Sequence, residues 1–192
     1  MCGYSTMDKL TYSSDTTAAV PGAALGQERR LLAATGTTTS GYFGGGGYPS
    51  SASVMEKLTY ASDTVATLSG ASLSASRYRI AATGSTTAGY FGGGALVGVP
   101  VFSTVDKVTY SSDTISAVPG AALSAARYGL AATGNSTAGY FGGGRPSLRS
   151  TMDKVTYSTD TTAAVPGAAL SVARRDLAAS SARANEIGRA HV

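Results

Sequence analysis

The sequence predicts an all-β fold in which a unit of four short antiparallel strands is repeated along the chain. One observation is the phrase Gly-Tyr-Phe-Gly-Gly-Gly, which occurs at 41–46, 89–94 and 139–144. A second is a Lys-(apolar)-Thr-Tyr phrase whose tyrosines, at 12, 60, 110 and 157, step by 48, 50 and 47 residues. Repeats of roughly 40–50 residues are typical of propellers and helical arrays. The frequent glycines and the lack of apolar spacing at 3.6 residues exclude the helical option.

The first two strands of a unit are clearest in its third copy. Residues 127–133 are small and apolar, as expected of an inner strand that is buried on both faces. A turn at 134–136 leads to a second strand over 138–142, which ends in the glycine run. Glycines at that point permit a sharp turn or the close approach of another backbone.

The third and fourth strands follow after a linker. In 151–158 apolar residues alternate with polar ones, which predicts one buried and one solvated face. A hairpin turn at 158–161 contains an aspartate, a residue favoured in turns because its side chain bonds nearby backbone. The short fourth strand, 162–165, ends at a Pro-Gly pair because proline cannot donate a hydrogen bond to a sheet.

The order of these features resembles the kelch repeat over nearly all of residues 5–179. An arginine opens the first strand, Ala-Gly-Tyr-Phe-Gly-Gly closes the second and Asp-Lys-Val-Thr-Tyr forms the third. The resemblance implies a kelch-like β-propeller with about three full four-stranded blades and two half blades. Where the family has a tryptophan this chain has small residues such as Ser116, so the blade core is expected to rely on Tyr42, Tyr90, Tyr140 and their Phe neighbours.

Longer phrases are similar to those of repeat proteins in tailed bacteriophages of marine bacteria. They are Thr-Tyr-Ser-Ser-Asp-Thr and Leu-Ala-Ala-Thr-Gly-Asn-Ser-Thr-Ala-Gly-Tyr-Phe-Gly-Gly-Gly. This resemblance implies a virion or tail-fibre component, with a virion or extracellular location.

The phase of the repeats divides the chain into units. The predicted boundaries are 5–28, 29–76, 77–126, 127–172 and 173–180. Residues 6–20 are expected to be the outer half of a blade and 173–179 the inner half of one. These halves either complete one fourth blade or are cut edges of a larger ring. Residues 181–192 resemble a translated sequencing adapter, so we expect them to be non-native and the natural protein to continue beyond residue 180.

Composition and charge exclude several classes of protein. Hydrophobic residues make up 43% of the chain and charged residues 14%, which is unlike a disordered chain. The net charge is +4, and the four lysines recur at one repeat position, which predicts a solvated surface and no nucleic-acid binding. Cys2 is the only cysteine, so no disulfide framework is expected. No signal peptide, transmembrane segment or membrane insertion is expected either.

No catalytic, cofactor-binding or metal-binding residue is predicted. The single histidine, His191, lies in the adapter-like tail, so the repeats offer no His-dependent acid–base pair or metal cluster. The glycine runs lack the Lys-Ser/Thr of a phosphate-binding loop. Carboxylates recur at fixed positions, which favours turn or surface roles over catalysis; they are Asp8, Glu56, Asp106, Asp153 and Asp15, Asp63, Asp113, Asp160. The repeated arginines are expected to satisfy backbone carbonyls between blades, with anion binding around a channel as the alternative.

The linkers between the second and third strands are not copied from unit to unit. They occupy 47–50, 95–102 and 145–149 and should emerge on one face of the propeller. Binding residues are commonly placed on loops that a rigid scaffold positions. The residue types best suited to anchor a protein or a cell-surface glycan are Tyr48, Phe102, Arg145 and Arg149. Sequence drift in unconstrained loops is the alternative explanation.

These features favour a non-enzymatic structural or binding segment that needs no cofactor. One alternative is part of an extracellular propeller enzyme similar to galactose oxidase, whose copper chemistry requires His, Tyr and a Cys cross-link. The repeats supply only the tyrosines for such a site. The other alternative is an intracellular kelch adaptor that binds proteins, which would need partner domains.

Overall fold

The computed structural model describes residues 4–47, 49–97 and 100–180. In those ranges the chain is all-β, with three single-turn 3-10 helices at Pro21–Ala23, Pro119–Ala121 and Pro166–Ala168. The strands are β1 Asp8–Thr11, β2 Thr16–Ala19, β3 Ala33–Gly36, β4 Ser40–Gly44, β5 Val54–Thr59, β6 Thr64–Ser72, β7 Ala81–Gly84, β8 Ala88–Gly92, β9 Val105–Thr109, β10 Thr114–Ala117, β11 Ala131–Gly134, β12 Ala138–Gly142, β13 Met152–Thr156 and β14 Thr161–Ala164.

The strands form one hairpin and three four-stranded sheets. β1 pairs with β2, and the larger sheets have the orders β3-β4-β5-β6, β7-β8-β9-β10 and β11-β12-β13-β14. All pairs are antiparallel, and the register between the first and second strands is identical in the three large sheets. The prediction of an all-β chain with four-stranded antiparallel units is therefore confirmed.

Some strand bounds differ from the prediction. The inner strand predicted over 127–133 begins only at Ala131, because Gly129 takes a left-handed φ of +63° and interrupts the extended backbone. The third and fourth strands, predicted over 151–158 and 162–165, are Met152–Thr156 and Thr161–Ala164. The strand predicted over 173–179 does not form. In the described part of that segment Arg174 makes a single bridge to Arg149, and no second strand lies beside it to complete a ladder.

Proline decides where the fourth strand ends. β10 ends at Ala117, two residues before Pro119, and a 3-10 helix follows. In the second unit Ser69 takes the place of that proline, keeps its backbone N–H, and β6 continues for nine residues to Ser72. The chain thus contains its own comparison between a sequence with the proline and one without it.

The apolar core lies between neighbouring sheets. One cluster joins Tyr42 and Met55 of the first large sheet to Phe91 and Val108 of the second. A second cluster repeats this arrangement between the second and third large sheets. Of the tyrosines and phenylalanines expected to fill the core, Tyr42, Tyr90, Phe91 and Phe141 are buried, whereas Phe43 and Tyr140 are only partly buried. The first strands of consecutive sheets, β3 with β7 and β7 with β11, also contact each other.

The β1–β2, β5–β6, β9–β10 and β13–β14 turns each carry an aspartate in the left-handed conformation, which confirms the predicted turn role. The φ angles are 51° at Asp15, 50° at Asp63, 53° at Asp113 and 53° at Asp160.

At Asp113 and Asp160 the carboxylate contacts another sheet, in place of the predicted bond to nearby backbone. The carboxylate of Asp113 accepts hydrogen bonds from Lys57 and Tyr42 of the preceding sheet, at 2.8 and 2.5 Å. Lys107 likewise pairs with Asp160 of the following sheet. Lysines of the inner repeats therefore form ion pairs between sheets and are not simply solvated, contrary to the prediction.

Candidate binding face

Buried arginines anchor one end of every large sheet. Arg29, Arg77 and Arg127 precede β3, β7 and β11 and are at most 4% exposed. Arg77 donates hydrogen bonds to the carbonyl oxygens of Gly93 and Thr104, at 2.9 and 2.8 Å, and forms an ion pair with Asp106. Desolvation lowers the pKa of Arg77 and the charge of Asp106 opposes that shift. The guanidinium stays protonated and ties the glycine run to the third strand.

The carbonyl contacts of these arginines were predicted, but they lie within one sheet and not between blades. Their carboxylate partners are Glu56, Asp106 and Asp153, each at most 1% exposed. The prediction of turn or surface roles for these three residues is wrong, because they occupy the inward-facing position beside each lysine. The sequence signal for this pairing was the similar spacing, since these carboxylates follow the arginines by 27, 29 and 26 residues. A buried carboxylate needs such a counter-charge.

The glycine runs let consecutive units approach closely. The N–H of Gly94 donates a 2.8 Å hydrogen bond to the carbonyl oxygen of Arg127, in the next unit. Gly93 and Gly94 have φ angles of +68° and +101°, which favour glycine. A Cβ on Gly93 would lie 2.5 Å from the Arg127 carbonyl oxygen. The predicted reasons for the glycines, a sharp turn and close backbone approach, are both confirmed here.

The linkers and the residues that follow the arginines lie at the same end of the sheets. Isolated bridges pair Arg30 with Gly47, Tyr78 with Ala95 and Tyr128 with Arg145. This end therefore gathers the parts of the sequence that differ between units. We call it the variable end and define it as residues 30–32, 45–53, 78–80, 93–104, 128–130, 143–151 and 175–177 where described.

The structure brings three of the four predicted anchor residues to the variable end. Tyr48 lies outside the described residues. Phe102 is half-buried, with its ring centroid 5.8 Å from Cζ of Arg77, and its carbonyl oxygen accepts a 3.1 Å hydrogen bond from Arg127 N–H. Arg145 is half-buried and exchanges two backbone hydrogen bonds with Tyr128.

Arg149 occupies the position that corresponds to Phe102 in the next unit. Its carbonyl oxygen accepts a 3.0 Å hydrogen bond from Arg174 N–H, and its buried Nε has no hydrogen-bond partner among the described residues. Phe102 and Arg149 thus lie where neighbouring units join, whereas Val97 and Leu148 are apolar residues exposed on the linkers, at 66% and 56%.

A pocket of about 270 Å³ opens at the variable end beside the first strands. It is bordered by two adjacent residues from each of four successive units, and the first residues of these pairs are Leu31, Arg79, Gly129 and Asp176. Their backbones form a chain of hydrogen bonds that joins each unit to the next, at 2.8, 3.0 and 2.8 Å. All four residues have φ between 52° and 63°. Non-glycine residues held in this region are strained and cluster at binding sites.

A charge pair borders the pocket, and two tyrosine rings lie beside its arginine. Arg79 Nη1 lies 3.7 Å from Asp176 Oδ1, and both side chains are partly exposed. Cζ of Arg79 lies 5.9 and 5.8 Å from the ring centroids of Tyr78 and Tyr128. Sequence reasoning missed this pocket. The signal was present, because the position two residues after the repeated arginine reads Leu, Arg, Gly and Asp in otherwise similar units.

Three observations bear on other kinds of site. The described residues contain no group of three or more His, Cys, Asp or Glu placed to hold a metal ion. Within the same ranges no helix has the length and apolar character needed to cross a bilayer. No protein-family model and no curated protein matches this chain.

Proposed function

We propose that this chain is a non-enzymatic, kelch-like β-propeller segment that binds a protein or a cell-surface glycan through its variable end. The proposal rests on one observation. The units are nearly identical, and the residues that differ between them lie together at one end of the sheets. A repeated scaffold with a varied end is the arrangement in which loops supply binding.

Repetition of the same contact between sheets supports the propeller. β3 contacts β7 and β7 contacts β11, and the same Tyr–Lys–Asp contact joins each large sheet to the next. The same contacts relate each large sheet to the next, and the first strands lie together on the inner side. Sheets added with this same relation would curve into a ring. Closing the ring would protect the sheet edges that an open array exposes.

The chemistry of the variable end supports a glycan or protein as the ligand. Arg79 and Asp176 offer charged hydrogen-bond groups, and Tyr78 and Tyr128 offer aromatic surface beside them. Tyr and Arg are residue types that often dominate binding interfaces. The resemblance of the repeated phrases to phage proteins supports a virion or tail-fibre protein that contacts a host surface.

An array of bacterial surface glycans, probed with the fluorescently labelled chain, tests the proposal. We expect binding to a small set of glycans, reduced by Arg79→Gln and by Arg145→Gln. Thr86→Ala and Ser136→Ala are matched controls, because both residues are exposed in turns at the opposite end of the sheets. Equal binding by all variants would contradict the proposed face. Turnover of a sugar or alcohol by the copper-loaded chain would favour the oxidase alternative.

A further inference from the structure

Charged side chains at the repeated positions of the second large sheet have partners of opposite charge. Arg77 pairs with Asp106 within the sheet, and Lys107 pairs with Asp160 of the following sheet. The variable end differs, because its described residues contain five arginines and a single carboxylate, Asp176. The arginines are Arg30, Arg79, Arg145, Arg149 and Arg175. This end of the molecule therefore carries an excess of positive charge, which attracts anions.

Arg79 offers hydrogen-bond donors to the pocket at the variable end. It follows Arg77 in the unit of the second large sheet and has a described unit on each side. Its Nη1 lies 3.7 Å from Asp176 Oδ1, whereas a hydrogen bond between charged groups measures about 2.7–2.9 Å. Its side chain is 29% exposed. The guanidinium thus faces a carboxylate without bonding to it directly, and a ligand can reach it.

Asp176 reaches Arg79 from two units further along the chain. Gly129 lies between them, and a Cβ there would be 2.8 Å from Asp176 Oδ1. The carboxylate therefore lies over the bare backbone of Gly129, beside the pocket. The second oxygen, Oδ2, lies 3.2 Å from Arg175 Nη1. The chain itself shows that a carboxylate can occupy this place among the arginines.

The other side chains at the pocket are apolar. They are Leu31, Leu32, Ile80, Leu130 and Leu177. Ligand pockets commonly combine an apolar lining with a few polar groups and measure about 300–1,000 Å³. At about 270 Å³ this pocket is small and suits a single ring, such as one sugar residue of a longer chain. The C–H groups of a sugar ring can pack against the leucine and isoleucine side chains.

A polysaccharide fits this surface better than a nucleic acid does. Single-stranded nucleic acids bind where aromatic rings present free faces on which bases stack. Cζ of Arg79 lies over the rings of both Tyr78 and Tyr128, at 5.9 and 5.8 Å. The guanidinium therefore covers one face of each ring, and no lysine lies in the described part of the variable end.

We infer that this pocket binds an acidic sugar, a uronic or sialic acid residue of a polysaccharide. The carboxylate of the sugar accepts two hydrogen bonds from the guanidinium of Arg79, whose planar fork matches a carboxylate. The ring packs on the apolar lining, and Asp176 accepts hydrogen bonds from sugar hydroxyl groups. The inference rests on the proposed function, because it names the class of glycan that the variable end takes.

Equilibrium binding of the full chain to polygalacturonate, polymannuronate and polysialic acid tests the inference. Each polymer is compared with its carboxyl-reduced, neutral form. Poly-L-glutamate and a single-stranded oligothymidylate serve as polyanions of other classes. We expect at least one acidic polysaccharide to bind about tenfold more tightly than its neutral form and than either of the other polyanions.

Two variants at the pocket should change the affinity in opposite directions. Arg79→Gln removes the guanidinium and should weaken binding of the acidic polysaccharide by about tenfold or more. Asp176→Asn should strengthen it by about threefold or more, because it removes a charge that repels the sugar carboxylate and keeps an acceptor for hydroxyl groups. Asparagine tolerates the left-handed φ of 52° at this position.

Asp15→Asn is the matched control for the gain in affinity. Asp15 is an exposed aspartate with a φ of 51° that lies outside the variable end, so the variant makes the same change in net charge and backbone context. It should leave the affinity unchanged. Circular dichroism verifies that each variant is folded.

The possible outcomes separate this inference from the proposed function. Equal binding of acidic and neutral forms, tighter binding of either other polyanion, or binding of none of the acidic polysaccharides would overturn the acidic sugar. So would an affinity that Arg79→Gln leaves unchanged, a loss of affinity in Asp176→Asn, or an equal gain in Asp15→Asn. If a neutral glycan still bound in a manner that depends on Arg145, the proposed function would stand and this inference alone would fail.

Discussion

The phenol of Tyr90 donates a 2.5 Å hydrogen bond to Oδ1 of Asp160, which lies in the following sheet. The two residues are 70 positions apart in the chain. Tyr42 and Asp113 repeat the same bond one sheet earlier. Neighbouring sheets are therefore joined by a polar contact beside their apolar core, and we expect its protonation to change the stability of the fold with pH.

Stability should fall in acid as the turn aspartates are protonated. Burial alone would raise the pKa of Asp113, but hydrogen bonds from Lys57 and Tyr42 and the charge of Lys57 together lower it. The same balance lowers the pKa of Asp160. A lowered folded-state pKa contributes stability above the unfolded value of about 3.9 that is lost as pH falls through the folded value. The free energy of unfolding of wild type and Asp113→Asn is measured with urea from pH 7 to 2. It should decrease less in the variant as the pH falls.

Stability should also fall in alkali. Desolvation, with the hydrogen bond to Asp113, raises the pKa of Tyr42 to about 12. A raised folded-state pKa contributes stability that is complete below the unfolded value of about 10 and is lost as pH rises towards the folded value. The melting temperature should therefore drop between about pH 10 and 12, and Tyr42→Phe should drop less. If the melting temperature fell equally in both proteins at alkaline pH, the Tyr42 phenol would not be responsible.

Removing a buried arginine should be costly. Arg127→Met leaves the carboxylate of Asp153, which is fully buried, without its counter-charge. Such a change costs about 3–5 kcal/mol of the free energy of unfolding. Arg127→Met combined with Asp153→Leu should cost less than the sum of the single changes, because the pair is removed together. Denaturant unfolding of the three variants checks this, and additive costs would show that the two side chains do not interact.

The sequence predicted the four-stranded units, with errors at several strand bounds, and did not predict which side chains contact each other. Alternation around Val155 and the glycine and proline punctuation identified the four strands of each unit, because these signals are local. The pairing of Arg127 with Asp153 was missed, because a charged residue beside a lysine fits a solvated strand face as well as a buried one. The Tyr90–Asp160 contact depends on how separate sheets pack, which no local pattern reports. The pocket at Arg79 was missed because the variation two residues after each repeated arginine is visible in the sequence, but the packing that brings four units side by side there is not.

Two glycine substitutions should have opposite outcomes. Gly93 has a φ of +68°, and an added Cβ would meet the Arg127 carbonyl oxygen. Gly93→Ala should therefore destabilise the fold, through backbone strain and loss of close contact between units. An added Cβ on Gly167 would have no neighbouring atom within 4 Å, so Gly167→Ala should be nearly neutral. Thermal unfolding of both variants measures the difference, and an unchanged melting temperature for Gly93→Ala would refute the close approach.

Binding through the variable end is best tested by the affinity of the folded chain for the glycan or cell surface it prefers. That affinity is compared between two double variants. The first, Arg79→Gln/Arg145→Gln, changes the variable end, and the second, Thr86→Ala/Ser136→Ala, changes the opposite end as a control. Both double variants should keep the wild-type melting temperature, because these side chains add little to the core. We expect a loss of about tenfold or more for the first variant and none for the second. Unchanged affinity in the first variant, or an equal loss in the second, would contradict binding through this end.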